Sequence, residues 1–161
     1  MERLKMISNA FEEGAWIPVK YTARGEDLSP GFELSGIATG AKFMAITLDD
    51  LSHPIIPNYN HWVIWNIPVQ SVIPEGIPHG KTVKKLGGAV QGKAYGNNCY
   101  KGPKPPLASI HTYVFTIYIL DQKLELRSNG RKRDLLSKME GHILQTASIS
   151  GKYQSHRSHG F

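Results

Sequence analysis

The chain has 161 residues, 40% hydrophobic and 20% charged, a balance that argues against intrinsic disorder except at the ends and gives a single domain over 1–161 enough length for its own core. Its one cysteine, Cys99, excludes an internal disulfide and a cysteine-based zinc site. The net charge of +6 sits mostly in "GKTVKKLGG", "GRKRDLLSK" and the tail "GKYQSHRSHGF", where aromatics do not alternate with basic residues, so a solvated face that draws anions is expected and a nucleic-acid partner is not.

From the start of the chain, "MERLKMISNAFEEGAW" carries acidic residues and no long apolar run, unlike a signal peptide or an anchor. No later run reaches the roughly 20 apolar residues of a spanning helix, so a cytoplasmic protein without membrane insertion is expected. "IPVKYTARGEDLSPGFELSG" reads as short extended pieces joined by turns. Lys42–Asp50, His61–Pro68 and His111–Asp121 are rich in β-branched and aromatic residues and bounded by Pro, Gly or Asp, which predicts strands. Their nearly continuous apolar character predicts cover on both faces. "LSHPIIPNYN", "VIPEGIPHGK" and "GNNCYKGPKPP" are loops.

One helix is predicted, in "NGRKRDLLSKMEGHILQTAS". Leu135, Met139, His142 and Ile143 would share a face flanked by Leu136 and Leu144, with Ser128 or Asn129 as the cap. Gly141 would then sit inside the helix, where it calls for close packing. "ASISGKY" reads as a last short strand. The expected class is mainly β with one late helix.

The polar residues at strand ends are the candidates for chemistry, because a sheet fixes them where loops admit a ligand. Asp50 ends the first strong strand, His61 begins the second, and His111 and Tyr113 begin the third behind the Gly102–Pro106 loop. Taken singly, each has a structural reading: a turn-capping Asp, a satisfied His, a packed Tyr. Taken together they could bind an anion, bind a metal, or serve as acid and base. His53, His79, His142, His156 and His159 gain no role from their spacing, and nothing adjacent to Cys99 would activate its thiol. No phosphate-cradling glycine loop, nucleophile elbow or metalloprotease helix is present.

An Asp-x-x-x-Pro after a strand, a His-Trp opening the next, and a Gly-Pro-x-Pro-Pro loop followed by His-x-Tyr occur here in that order. In this combination the chain resembles the phosphatidylethanolamine-binding protein family, which includes the Raf kinase inhibitor proteins, and within it the short prokaryotic members. The resemblance implies an antiparallel β-sandwich-like fold, a large central sheet packed with a smaller one. It also implies an anion pocket for phosphate, acetate or a phosphorylated head group. By position Asp50, His61, Gly102, Pro105, His111 and Tyr113 match the pocket residues, with Ser52, His53, Pro54 and Lys104 at its rim. Where the family has Asp-Pro-Asp-Ala-Pro, this chain has Asp50-Leu51-Ser52-His53-Pro54, so a carboxylate is lost from the rim. Lys104 either reaches over the mouth or blocks it, and Leu34 stands where a tryptophan is common.

The leading expectation is therefore a non-enzymatic binder of small anions, without cofactor, metal or catalytic residue, that regulates a protein partner and forms a homodimer. In it the histidines, the backbone N–H groups of the Gly102 loop and the Tyr113 hydroxyl would donate to the anion, while Asp50 would orient an imidazole. The alternative is a metal-dependent enzyme or hydrolase built on Asp50, His61 and His111.

Overall fold

The computed structural model describes residues 3–155, so His156, His159 and the end of the basic tail lie outside the described residues. In chain order the strands are β1 (Lys5–Ile7), β2 (Phe32–Ser35), β3 (Phe43–Asp50), β4 (Tyr59–Pro68), β5 (Val72–Ile73), β6 (Thr82–Val83), β7 (Ala89–Gln91) and β8 (Ile110–Leu120). Helix α1 (Lys132–Met139) and strand β9 (Ile143–Gln154) follow. A six-stranded antiparallel sheet has the order β6-β7-β4-β3-β8-β9, and a three-stranded one the order β1-β2-β5.

Period-2 alternation decides which residues face which layer. Met44, Ile46 and Leu48 of β3 share the main core with Trp62 and Ile64 of β4, Phe115 and Ile117 of β8, and Met6, Phe32, Leu34 and Ile73 of the small sheet. Leu34 thus fills space between the sheets. On the opposite face Ala45, Val63 and Trp65 meet Leu135 and Met139 of α1. Each such fully buried large side chain contributes about 1.5–3 kcal/mol.

β3 and β4 are covered on both faces, as their apolar runs predict. β8 is not: it alternates buried with half-buried positions. An eight-residue helix is too short to cover that strand as well.

The helix also ends earlier than its periodicity predicts. It stops at Met139, and Gly141 turns the chain at φ +83°. Apart from its two chain neighbours, none of the described residues comes within 4 Å of where a Gly141 Cβ would lie, so the close packing expected there is absent. From Ile143 the chain is a twelve-residue strand, not a helix end followed by a short strand, and it pairs with β8 from Leu120↔Ile143 to Ile110↔Gln154. Neither Ser128 nor Asn129 is the cap. Arg131 is, and its N–H donates to Asp134 Oδ2 (2.9 Å).

Candidate functional site

The order β4-β3-β8 brings the end of β3 between the starts of β4 and β8, with Asp50 opposite both Tyr59 and Tyr113. Asp50, His111 and Tyr113 face the side of the sheet that carries the main core, to which Tyr113 itself belongs. A β-bulge adds His61 to them. Leu48 pairs with Trp62 and Asp49 with Asn60, which leaves His61 as the extra residue. Bulges of this kind redirect a side chain at a sheet rim.

The Asp50 carboxylate is fully engaged. Oδ2 accepts from His111 Nδ1 at 2.7 Å, and Oδ1 accepts the Ser52 N–H at 2.8 Å. Because a carboxylate only accepts, His111 carries its proton on Nδ1, which leaves Nε2 as the lone-pair nitrogen of the neutral ring. Ser52, in place of a carboxylate, accepts the Thr112 N–H through Oγ (3.0 Å) and so fastens the Leu51–Asn58 loop to β8.

His61 Nδ1 is held by the Lys101 carbonyl at 2.8 Å, which likewise fixes the proton there. The ring is 3% exposed, and this burial lowers its pKa below the ordinary 6.5. The Lys101 carbonyl, Asp50 and the Gly102 backbone pull the other way without reversing the shift.

Tyr113 lies between the two imidazoles, its ring edge-on to His61 at 5.5 Å and 6.2 Å from His111. Its hydroxyl is buried with no hydrogen-bond partner among the described residues. Burial pushes its pKa far above the ordinary tyrosine range, and the Asp50 charge adds to that. The Lys104 N–H is turned toward the hydroxyl and opposes the shift without closing a hydrogen bond.

The proline loop is tied to the body through backbone. Gly102 N–H donates to Asp27 Oδ1 (2.8 Å), Ala23 N–H to the Pro103 carbonyl (3.0 Å), and the Tyr100 hydroxyl to the Tyr21 carbonyl (2.7 Å). A Cβ on Gly102 would overlap the Tyr21 carbonyl oxygen and the Asp27 carboxylate, so only glycine fits. One expectation is corrected here: the Gly102 N–H is occupied by Asp27 and is not a free donor. Pro105 is buried, while Lys104 is exposed and forms no ion pair among the described residues.

At the rim His53 Nδ1 accepts the N–H groups of Ile55 and Ile56 (3.2 and 3.0 Å), its ring packs on Tyr59 at 4.7 Å, and Pro54 is exposed. The structure therefore brings Asp50, His61, His111 and Tyr113 together, with the Gly102–Pro106 loop alongside. The ligand set of the metal reading is not assembled. Among the described residues no group of three or more His, Cys, Asp or Glu is placed to hold a metal.

Three participants are missed by the sequence reading. Asp27 holds the loop, and Tyr59 and Tyr95 stand edge-on to His61 at 5.8 and 4.8 Å. For Tyr95 a signal exists in "AYGN": a tight turn that places an aromatic residue at its tip.

Fold and site define a two-sheet antiparallel β protein whose buried polar side chains converge at one sheet edge beside a proline-walled loop. The family model described as phosphatidylethanolamine-binding protein matches residues 7–154. A UPF0098 protein of Pyrococcus abyssi is 38% identical over 155 residues, spanning 95% of this chain and 86% of the relative. One from Methanothermobacter thermautotrophicus is 37% identical over 155 residues, spanning 94% and 99%. A Chlamydia trachomatis homologue of phosphatidylethanolamine-binding protein has a crystal structure that superposes with a TM-score of 0.81, at 32% identity and 96% and 99% coverage. That of Escherichia coli YbcL, a member of the mammalian family, superposes at 0.86, with 26% identity and 95% and 99% coverage. The chain belongs to the phosphatidylethanolamine-binding protein family.

Proposed function

We propose that this protein is a non-enzymatic binder of small anions, with phosphate and phosphorylated head groups as the ligand class. The Tyr113 hydroxyl carries the reading: it is a buried donor without a partner among the described residues, set between two imidazoles. An anion oxygen there would take the Tyr113 O–H. His111, oriented by Asp50, would donate from Nε2 when protonated. His61 is held neutral by burial, and an anion beside it restores the stability of its protonated form. Binding is then coupled to proton uptake. A thiol hydrolase is disfavoured, since burial raises the Cys99 thiol pKa above its ordinary value, away from reactivity.

Calorimetric titration of phosphoethanolamine at about pH 5.5 and about pH 8 tests this, with sulfate as a control whose own charge is constant across that range. Affinity should fall as pH rises for both. Equal affinity at the two pH values, or no binding at either, would remove the reading. Partner regulation and homodimer formation belong to the same proposal. A pull-down from native lysate with wild type and His111→Ala, and sedimentation of the free protein, measure them.

A further inference from the structure

Beyond the rings of Tyr59 and Tyr95, a second cleft of about 420 Å³ lies between the start of α1 and the start of β4. The two tyrosines join it to the pocket: both stand edge-on to His61, both line the cleft, and they meet each other at 5.1 Å. The rest of the wall is mainly basic. Lys93, Arg131 and Arg133 line it and form no ion pair among the described residues. Lys132, the fourth cation of the wall, is paired with Asp49 at 2.5 Å. The neighbouring carboxylate of Asp134 is turned to the Arg131 N–H. The Lys93 N–H donates to the Gly130 carbonyl (2.8 Å), which holds the lysine beside the start of the helix.

Tyr95 and Gly96 are the central residues of a two-residue turn, at φ +55° and +71°, closed by Ala94 and Asn97 exchanging hydrogen bonds at 3.1 and 3.0 Å. Asn or Gly is favoured at the position of Tyr95. A tyrosine there is unfavourable for the turn, and it sets a half-exposed ring between the pocket and the basic cleft.

We propose that the cleft is a second anion subsite, and that the natural ligand is a small molecule with two phosphoryl groups, one on either side of Tyr95. The inference rests on the anion-binding reading of the pocket and names its ligand class. Phosphate, pyrophosphate and tripolyphosphate test it, titrated into the intact protein at physiological ionic strength, where exposed charges are screened beyond about 8 Å. One of the longer anions should bind at least about tenfold tighter than phosphate. The Arg131→Gln/Arg133→Gln double variant should abolish that gain and leave phosphate affinity unchanged. Tyr95→Asn should weaken the longer anion while leaving the melting temperature unchanged or higher, since asparagine suits the turn. No gain with anion length, or an equal loss for phosphate and the longer anions in the double variant, would overturn the second subsite and leave the pocket standing. Failure of phosphate to bind at all would instead remove the pocket reading, and the bridging ligand with it.

Discussion

A buried hydroxyl without a hydrogen-bond partner costs about 1–3 kcal/mol, and that of Tyr113, at the centre of the site, has none among the described residues. The fold therefore gains nothing from that oxygen, whereas a bound anion would. Tyr113→Phe should leave the thermal midpoint unchanged or raise it, and weaken phosphate binding several-fold; undiminished binding would assign the ring to packing alone. Asp50 shows the reverse, with both oxygens used inside the protein. Its pairing with an imidazole is legible in the sequence as a strand end facing a strand start. That His111 rather than His61 is the partner is not legible, because the bulge that redirects His61 is set by cross-strand register and not by any local pattern.

At the scale of elements, β3, β4 and β8 lie within two residues of the runs that predict them, since β-branched and aromatic residues and Pro or Gly boundaries agree there. The sequence after Met139 misleads because "GHILQTAS" has helical spacing, yet Gly141 takes a left-handed conformation and eleven cross-strand pairs to β8 outweigh local preference. The proline loop owes its place to a contact far away in sequence, Asp27 to Gly102, which no local motif records. Gly102→Ala would drive a methyl into the Tyr21 carbonyl and the Asp27 carboxylate. We expect it to cost about 2 kcal/mol or more in denaturant unfolding and to abolish anion binding. Asp27→Asn keeps an acceptor for the Gly102 N–H and should retain both; a full-strength Gly102→Ala protein would show that the loop is not held at this point.

For the whole molecule, the buried neutral His61 makes stability depend on pH. Its folded pKa lies below the unfolded value near 6.5, so the unfolded chain binds the proton more readily. The His61 contribution is therefore complete above about pH 6.5 and is lost as pH falls through that value toward the folded pKa. The groups that act on His61 are Asp50 and Asp49 on β3 and the backbone of Lys101 and Gly102 on the loop, all of which favour the charged ring but are outweighed by burial. Thermal midpoints should fall between about pH 7.5 and about pH 5.5, and fall less in His61→Gln, which cannot titrate. Sulfate should return part of the lost stability at the lower pH, because an anion in the pocket stabilises the protonated ring, and should do so less in His61→Gln. Identical slopes for the two proteins would mean that His61 does not carry the pH dependence, and that the coupling between proton uptake and anion binding lies elsewhere in the site.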